Sequence, residues 1–333
     1  MTLSAAVAAL AAGDLSALTA ACTAAGLHVS APVIGVVQIR PGPVDAAAGD
    51  RLSVLLSVGV HGDETAPIEL LAALLQTILK NPLALRINLM LVVGNLAAIG
   101  QARRFIEADL NRLFRADQGA LHATAEATRA RAIMAASTEF FGGATGPRWH
   151  FDLHTAIRAS VYPTFAIVPD TIAPTDQRVL ADLLGQGGIA AVVINPTSAG
   201  TYSAFTAEHA RAVSATVELG QVSRLGQNDV GIFAAMGSML TALLQTGKLP
   251  PPALTTLPVR FEVAQEIIKH SAAFQMYCDA KAPNFSGLSQ GSIIATDGEL
   301  VYRVRHVEEM VVFPNPTVRP GLRAGLMVVR SDW

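Results

Sequence analysis

The sequence predicts an α/β fold with a largely parallel or mixed sheet flanked by helices, followed by a smaller β-rich domain. Three observations predict it. From about residue 50, apolar runs alternate with stretches of helical spacing, the pattern of a sheet covered on both faces. The texture then changes at the proline-rich KLPPPALTTLPV (248–259), after which short strand-like pieces and turn signals follow. Finally, the composition is 51% hydrophobic and 15% charged over 333 residues, which supplies ample core and excludes disorder.

The elements follow in order. MTLSAAVAALAAGDLSALTAACTAAG at the N-terminus is alanine-rich, but it lacks a basic leader and Asp14 interrupts it. Its spacing predicts an amphipathic helix rather than a signal peptide. LSVLLSVGV (52–60) and INLMLVVGN (87–95) have no polar alternation, so they read as strands buried on both faces. WHFDLHT (149–155), FAIVPD (165–170), IAAVVIN (189–195) and SATVELG (214–220) are shorter strands of the same kind. Helical spacing marks PIELLAALLQTILK (67–80), LHATAEATRARAIMAASTEFF (121–141) and TDQRVLADLLGQ (175–186). Beyond the seam, GSIIATDGELVYRVRH (291–306) and NPTVRPGLRAGLMVV (315–329) read as strands and turns. The expected division is a catalytic α/β domain over 1–247 and a β-rich domain over 248–333.

Charge and cysteine content narrow the partners. The formal net charge is −2 and no basic cluster stands out, which excludes a nucleic-acid or membrane surface and favours a small molecule. Cys22 and Cys278 are far apart and form no C-x-x-C, which fits a reducing compartment and excludes a cysteine-built zinc site. No run of about 18 apolar residues predicts a membrane span. The expected location is the cytoplasm. The oligomeric state, a homo-oligomer included, is left open.

Four apolar runs end in chemically capable residues: His61 with Glu64, Gly94 with Asn95, Asp152 with His154, and Glu218. In open α/β sheets ligands bind beyond the carboxyl ends of the strands. His61 and Glu64, three apart at a strand-to-helix turn, can converge on one point with His154. That set of two histidines and a glutamate is a known catalytic zinc arrangement, leaving a fourth position for water. Asp152, two residues before His154, can orient an imidazole. Glu218 is the best base for the water, since a carboxylate after an apolar strand is otherwise expensive to place. Asn111 and Arg112 can hold a carboxylate, and Arg104 can polarise a carbonyl, with Arg103 its neighbouring decoy. So many cations beside a metal point to an anionic substrate.

Plainer readings stand beside these. H-x-x-E recurs at His306 and Glu309 with no assigned role. Asp63 and Glu64 also suit the start of a helix at Pro67, and Glu218 also reads as an acid facing solvent at a strand end. His150 and His209 read as packing or surface residues.

Together the quoted residues resemble the succinylglutamate desuccinylase and aspartoacylase family, within the zinc carboxypeptidase superfamily. The matching pieces are HGDETAPIE (61–69), GNLAAI (94–99), RRFIEADLNRLF (103–114), RWHFDLHTAIRAS (148–160) and TVELGQVSRLGQND (216–229). The resemblance implies a zinc-carboxypeptidase-like mixed sheet with a small β domain that narrows access. It implies one zinc (Zn2+) per subunit on His61, Glu64 and His154, with Glu218 as catalytic glutamate. It also implies Asn111 and Arg112 as a carboxylate-binding pair and Arg104 as the carbonyl-polarising arginine. DLHTAIR looks like the desuccinylase branch, so the expected reaction is hydrolysis of N-succinyl-L-glutamate to succinate and L-glutamate, within arginine catabolism. That small anionic N-acyl amino acid has an extra carboxylate on its acyl chain, whose burial requires a cation. Arg158 is the candidate. HGDE departs from the commoner HGNE at Asp63, which is not a ligand position.

Three alternatives compete. GLSQG (287–291) matches the elbow of serine hydrolases, with His306 downstream, but that elbow needs a strand before it and a helix after it. A binding protein without activity would lack catalytic residues. An aspartoacylase-like hydrolase or a zinc carboxypeptidase is the closer rival, and the carboxypeptidase needs an open cleft.

Overall fold

The computed structural model describes residues 1–42, 51–252, 257–279 and 281–333. Within the proline-rich seam, 253–256 lie outside the described residues. The single N-terminal helix expected above is two helices, α1 (Leu3–Ala11) and α2 (Ser16–Ala24), bent by 112°. Gly13 breaks the helix at φ 69°, and Asp14 Oδ1 accepts the Ser16 N–H at 2.9 Å. A glycine and an aspartate that bonds its own backbone favour a turn over helix continuation. Among the described residues no single helix is long and apolar enough to cross a membrane.

A strand hairpin, β1 (His28–Val33) and β2 (Val36–Arg40), precedes the alternating part. That part runs β3 (Ser53–Val58), α3 (Ala66–Lys80), β4 (Asn88–Val93), α4 (Leu96–Gly100), α5 (Ala125–Gly142), β5 (Arg148–Ala156) and β6 (Thr164–Pro169). It continues α6 (Pro174–Gln186), β7 (Ala191–Asn195), α7 (Tyr202–Ala210), β8 (Val213–Gln221) and α8 (Val230–Thr246). The C-terminal part holds β9 (Val259–Ile268), β10 (Gln275–Met276), β11 (Ser286–Ser289), β12 (Ile293–Asp297), β13 (Leu300–Arg303), β14 (Glu308–Val312) and β15 (Arg323–Ser331).

Twelve strands form one mixed sheet, ordered β1-β2-β4-β3-β5-β8-β6-β7-β9-β15-β14-β11. β3, β4, β5 and β8 are parallel, and β6 turns the direction over by pairing antiparallel with β8. The missing polar alternation in β3 has a direct cause. Val54, Leu56 and Val58 pack with Leu71, Leu75, Leu240 and Leu243 of α3 and α8, while Leu55 packs with Ile133 and Phe140 of α5 and Tyr202 of α7. Both faces are covered, so both must be apolar.

The C-terminal strands continue this sheet through β9, which pairs with β7 on one side and β15 on the other. Phe285, Val312 and Leu326 join Phe165, Val193 and Phe261 in one apolar cluster. They also dock beside β5. Asn284 N donates to Ala159 O at 2.9 Å and Val161 N to Asn284 O at 3.0 Å. GLSQG sits in β11 and the turn into β12, with no helix after it, so the serine elbow has no structural basis.

Candidate metal centre

β3, β5 and β8 are neighbours with β5 central, and their carboxyl ends deliver side chains to one edge. His154 of β5 and Glu218 of β8 are register partners. His61 and Glu64 come from the turn between β3 and α3. That turn packs so tightly on α4 that a Cβ on Gly62 would lie 2.2 Å from the Ala98 carbonyl carbon, a position only glycine tolerates. His61, Glu64 and His154 are buried, with one ligand-capable atom of each within 4.8 Å of the others.

The hydrogen bonds fix which atoms face inward. His61 Nε2–H donates to Asp109 Oδ1 at 2.9 Å, and His154 Nε2–H to Asp152 Oδ2 at 2.9 Å, because a carboxylate can only accept. The two Nδ1 atoms therefore face Glu64, each 2.8 Å from one of its oxygens. A nitrogen lone pair and a carboxylate oxygen that close need a proton or a metal cation between them. Burial works against charge on all three groups, yet the mutual attraction prevails. His61 and His154 are raised above the ordinary histidine range, and Glu64 is held well below the carboxylate range. Two imidazole nitrogens and a carboxylate, converging where positive charge is required, form a donor set that fits a zinc ion.

Behind this cluster runs a buried polar chain. Ser57 Oγ donates to Asp152 Oδ1 at 2.5 Å, and His150 bridges Ser57 and Thr206 at 2.8 Å on each side. His150 is thus not the ordinary packing residue the sequence predicted, since it steadies the carboxylate that orients His154. Burial pushes its pKa down to about 4, so it is neutral. Asp109 was missed as well. It stood in DLNRLF as the start of a segment, and only the fold brings it 48 residues back to His61.

Glu218 lies beside the cluster with Oε2 buried and lacking a hydrogen-bond partner. Burial, and then the like charge of Glu64, push its pKa up to about 7. A carboxyl group poised there can take and return a proton at neutral pH. This placement removes the reading of Glu218 as an acid facing solvent. Arg104 Nη1 donates to Glu64 Oε1 at 2.8 Å. Buried Glu126 holds Arg104's loop by accepting from Ile106 N at 2.7 Å and Glu107 N at 3.2 Å. Asn111 Oδ1 caps α7 through Tyr202 N at 2.9 Å, which leaves its amide nitrogen as the group able to donate to a carboxylate. Arg112 is half-buried next to it, and Arg158 lies half-buried in the bend after β5. The second H-x-x-E is structural: fully buried Glu309 accepts from Arg305 N, His306 N and Gln265.

Comparison with known proteins agrees with this geometry. Residues 50–244 match the model of the succinylglutamate desuccinylase/aspartoacylase catalytic domain, and residues 257–331 match the AstE/AspA barrel-sandwich hybrid domain. The chain belongs to the succinylglutamate desuccinylase/aspartoacylase family. A family member from Burkholderia orbicola, a succinylglutamate desuccinylase, is 45% identical over 89% of this chain and 85% of its own length. The solved structure of the Chromobacterium violaceum succinylglutamate desuccinylase is 34% identical with TM-score 0.80, covering 96% of this chain and 98% of that one. That of Vibrio parahaemolyticus is 29% identical with TM-score 0.83, covering 92% and 89%. Murine aminoacylase 3, at 18% identity and TM-score 0.56, shares the family fold alone.

Proposed function

We propose that this family member hydrolyses N-succinyl-L-glutamate to succinate and L-glutamate, with one zinc per chain held by His61, Glu64 and His154. The observation that carries the reading is Glu218, a buried carboxyl group without a hydrogen-bond partner beside a metal-type donor cluster. Relatives named for this activity over most of the chain support the substrate.

Zinc in such a site supplies a Lewis acid for the amide carbonyl and makes a water acidic enough to lose a proton near neutral pH. Glu218 takes that proton as the water attacks and returns it to the leaving amine, so one group serves as base and then acid. Arg104, fixed through Glu64, faces the developing oxyanion with its remaining donors. Asn111 and Arg112 hold a carboxylate of the glutamate end. Arg158, four residues beyond His154, serves the carboxylate of the succinyl group.

Chelation should abolish turnover of N-succinylglutamate, and added zinc should restore it with succinate and glutamate formed in equal amounts. Activity that survives complete metal removal would discard the mechanism. Arg158→Ala should cost about 30-fold or more in kcat/KM on the succinylated substrate, as expected for an unpaired buried carboxylate, and far less on an acetylated one. Equal losses on both would remove Arg158 from the acyl pocket.

A further inference from the structure

The segment after β8 is bonded to two of the elements that build the metal cluster. Val222 N donates to Ala156 O at 2.9 Å, two residues beyond His154. From there residues 223–228 cross to the first turn of α3, just after Glu64. Thr65 Oγ1 donates to Ser223 O at 2.9 Å and accepts from Asn228 Nδ2 at 2.8 Å. Glu69 Oε1 accepts from Gly226 N at 2.6 Å and from Asn228 Nδ2 at 2.8 Å. The Asn228 amide thus gives one N–H to each partner, and Thr65 both donates and accepts, so the groups match throughout. Glu69 is the carboxylate at the centre of this latch.

The elements it joins stand without it. α3 buries Ile68, Leu71, Leu75 and Ile78 in the main core, and α8 has its own cap in Asp229, whose Oδ1 accepts from Gly231 N at 2.9 Å. Arg224, Leu225, Gly226 and Gln227 are exposed, so closing the loop buries little apolar surface and adds little stability. What the latch determines is position. β5 and β8 pair His154 with Glu218 and then Ala156 with Gln221, a shift of register that leaves an extra residue in β8 just past Glu218. Such a bulge interrupts the ladder and bends the strand, so the ladder alone holds this end of β8 loosely. Glu218 Oε2 has no hydrogen-bond partner, so the backbone that carries it must supply the aim. The latch ties that backbone to the turn that carries Glu64.

We propose that Glu69 and Asn228 are positioning residues for the hydrolysis, whose latch holds the end of β8 against the start of α3 and so sets Glu218 against Glu64 and His154. This rests on the reading of Glu218 as the base. It gives HGDETAPIE and TVELGQVSRLGQND, two stretches far apart in the chain, one shared task at the site.

The test measures kcat and KM of zinc-loaded protein on N-succinyl-L-glutamate, alongside zinc content and melting temperature. Glu69→Ala should lower kcat and kcat/KM by the same factor, about 10- to 100-fold, as a misplacement of about 1 Å at the base does. KM, zinc content and melting temperature should stay near wild type. Glu69→Gln keeps an oxygen that accepts from Gly226 and Asn228 while removing the charge at the start of α3, and it should retain most of the wild-type kcat. Asn228→Ala should reproduce the loss in kcat, and combining it with Glu69→Ala should add little, because both cut one latch. A normal kcat in Glu69→Ala, a rise in KM alone, or a loss of zinc or melting temperature that tracks the rate would overturn the proposal. So would a Glu69→Gln variant as slow as Glu69→Ala, or a double variant whose losses multiply. A wild type without turnover would overturn the underlying function and this proposal with it. An active wild type with an equally active Glu69→Ala overturns this proposal alone.

Discussion

Glu218→Ala should keep about one zinc per chain and lose roughly 10²- to 10⁴-fold in kcat, the range supplied by a positioned general base. Glu218 makes no bond to His61, Glu64 or His154 among the described residues, so the ligand cluster survives its removal. Its own hydrogen-bonding capacity is unused at Oε2, so truncation strands no partner and folding should be little affected. Zinc content by elemental analysis, together with steady-state rates on N-succinylglutamate, separates the two roles. A variant with near-normal kcat would remove Glu218 as the base, and one that loses zinc would make it a ligand or a support for one.

The second large effect is on the metal. His154→Ala removes the nitrogen that faces Glu64 and strips Asp152 of its inner partner. Zinc affinity should fall by more than the roughly 10- to 100-fold that loss of an outer hydrogen-bond partner costs. The purified variant should retain little metal after dialysis and show no turnover at zinc concentrations that saturate the wild type. Glu64 and Asp152 also each lose one buried partner, which costs stability, so the melting temperature should drop and added zinc should recover little of it. Full zinc occupancy in this variant would discard the ligand assignment.

Much of this architecture was legible in the residues because burial on two faces leaves a clear mark. β3 and β4 lack polar alternation since helices cover both sides, and their carboxyl ends stand out where polarity returns at His61 and Asn95. His61, Glu64 and His154 were readable for the same reason, as was Glu218. The groups behind them were not. Asp109 bonds an imidazole 48 positions away and Thr206 one 56 positions away, distances at which a single sequence carries no pairing signal. His150 misled because a histidine inside an apolar strand looks the same whether it packs or bonds. The break between α1 and α2 could have been anticipated from Gly13 and Asp14, but the alanines on both sides kept helical spacing through it.

The central claim is that the cluster cleaves an amide whose acyl group carries a carboxylate. The most direct test is the rate of free amino acid release by zinc-loaded protein, with N-succinyl-L-glutamate and N-acetyl-L-aspartate supplied at equal concentration. The account predicts rapid release of glutamate and little release of aspartate. Release of aspartate alone would contradict the substrate while leaving the metal chemistry in place, and release of neither would contradict the account as a whole.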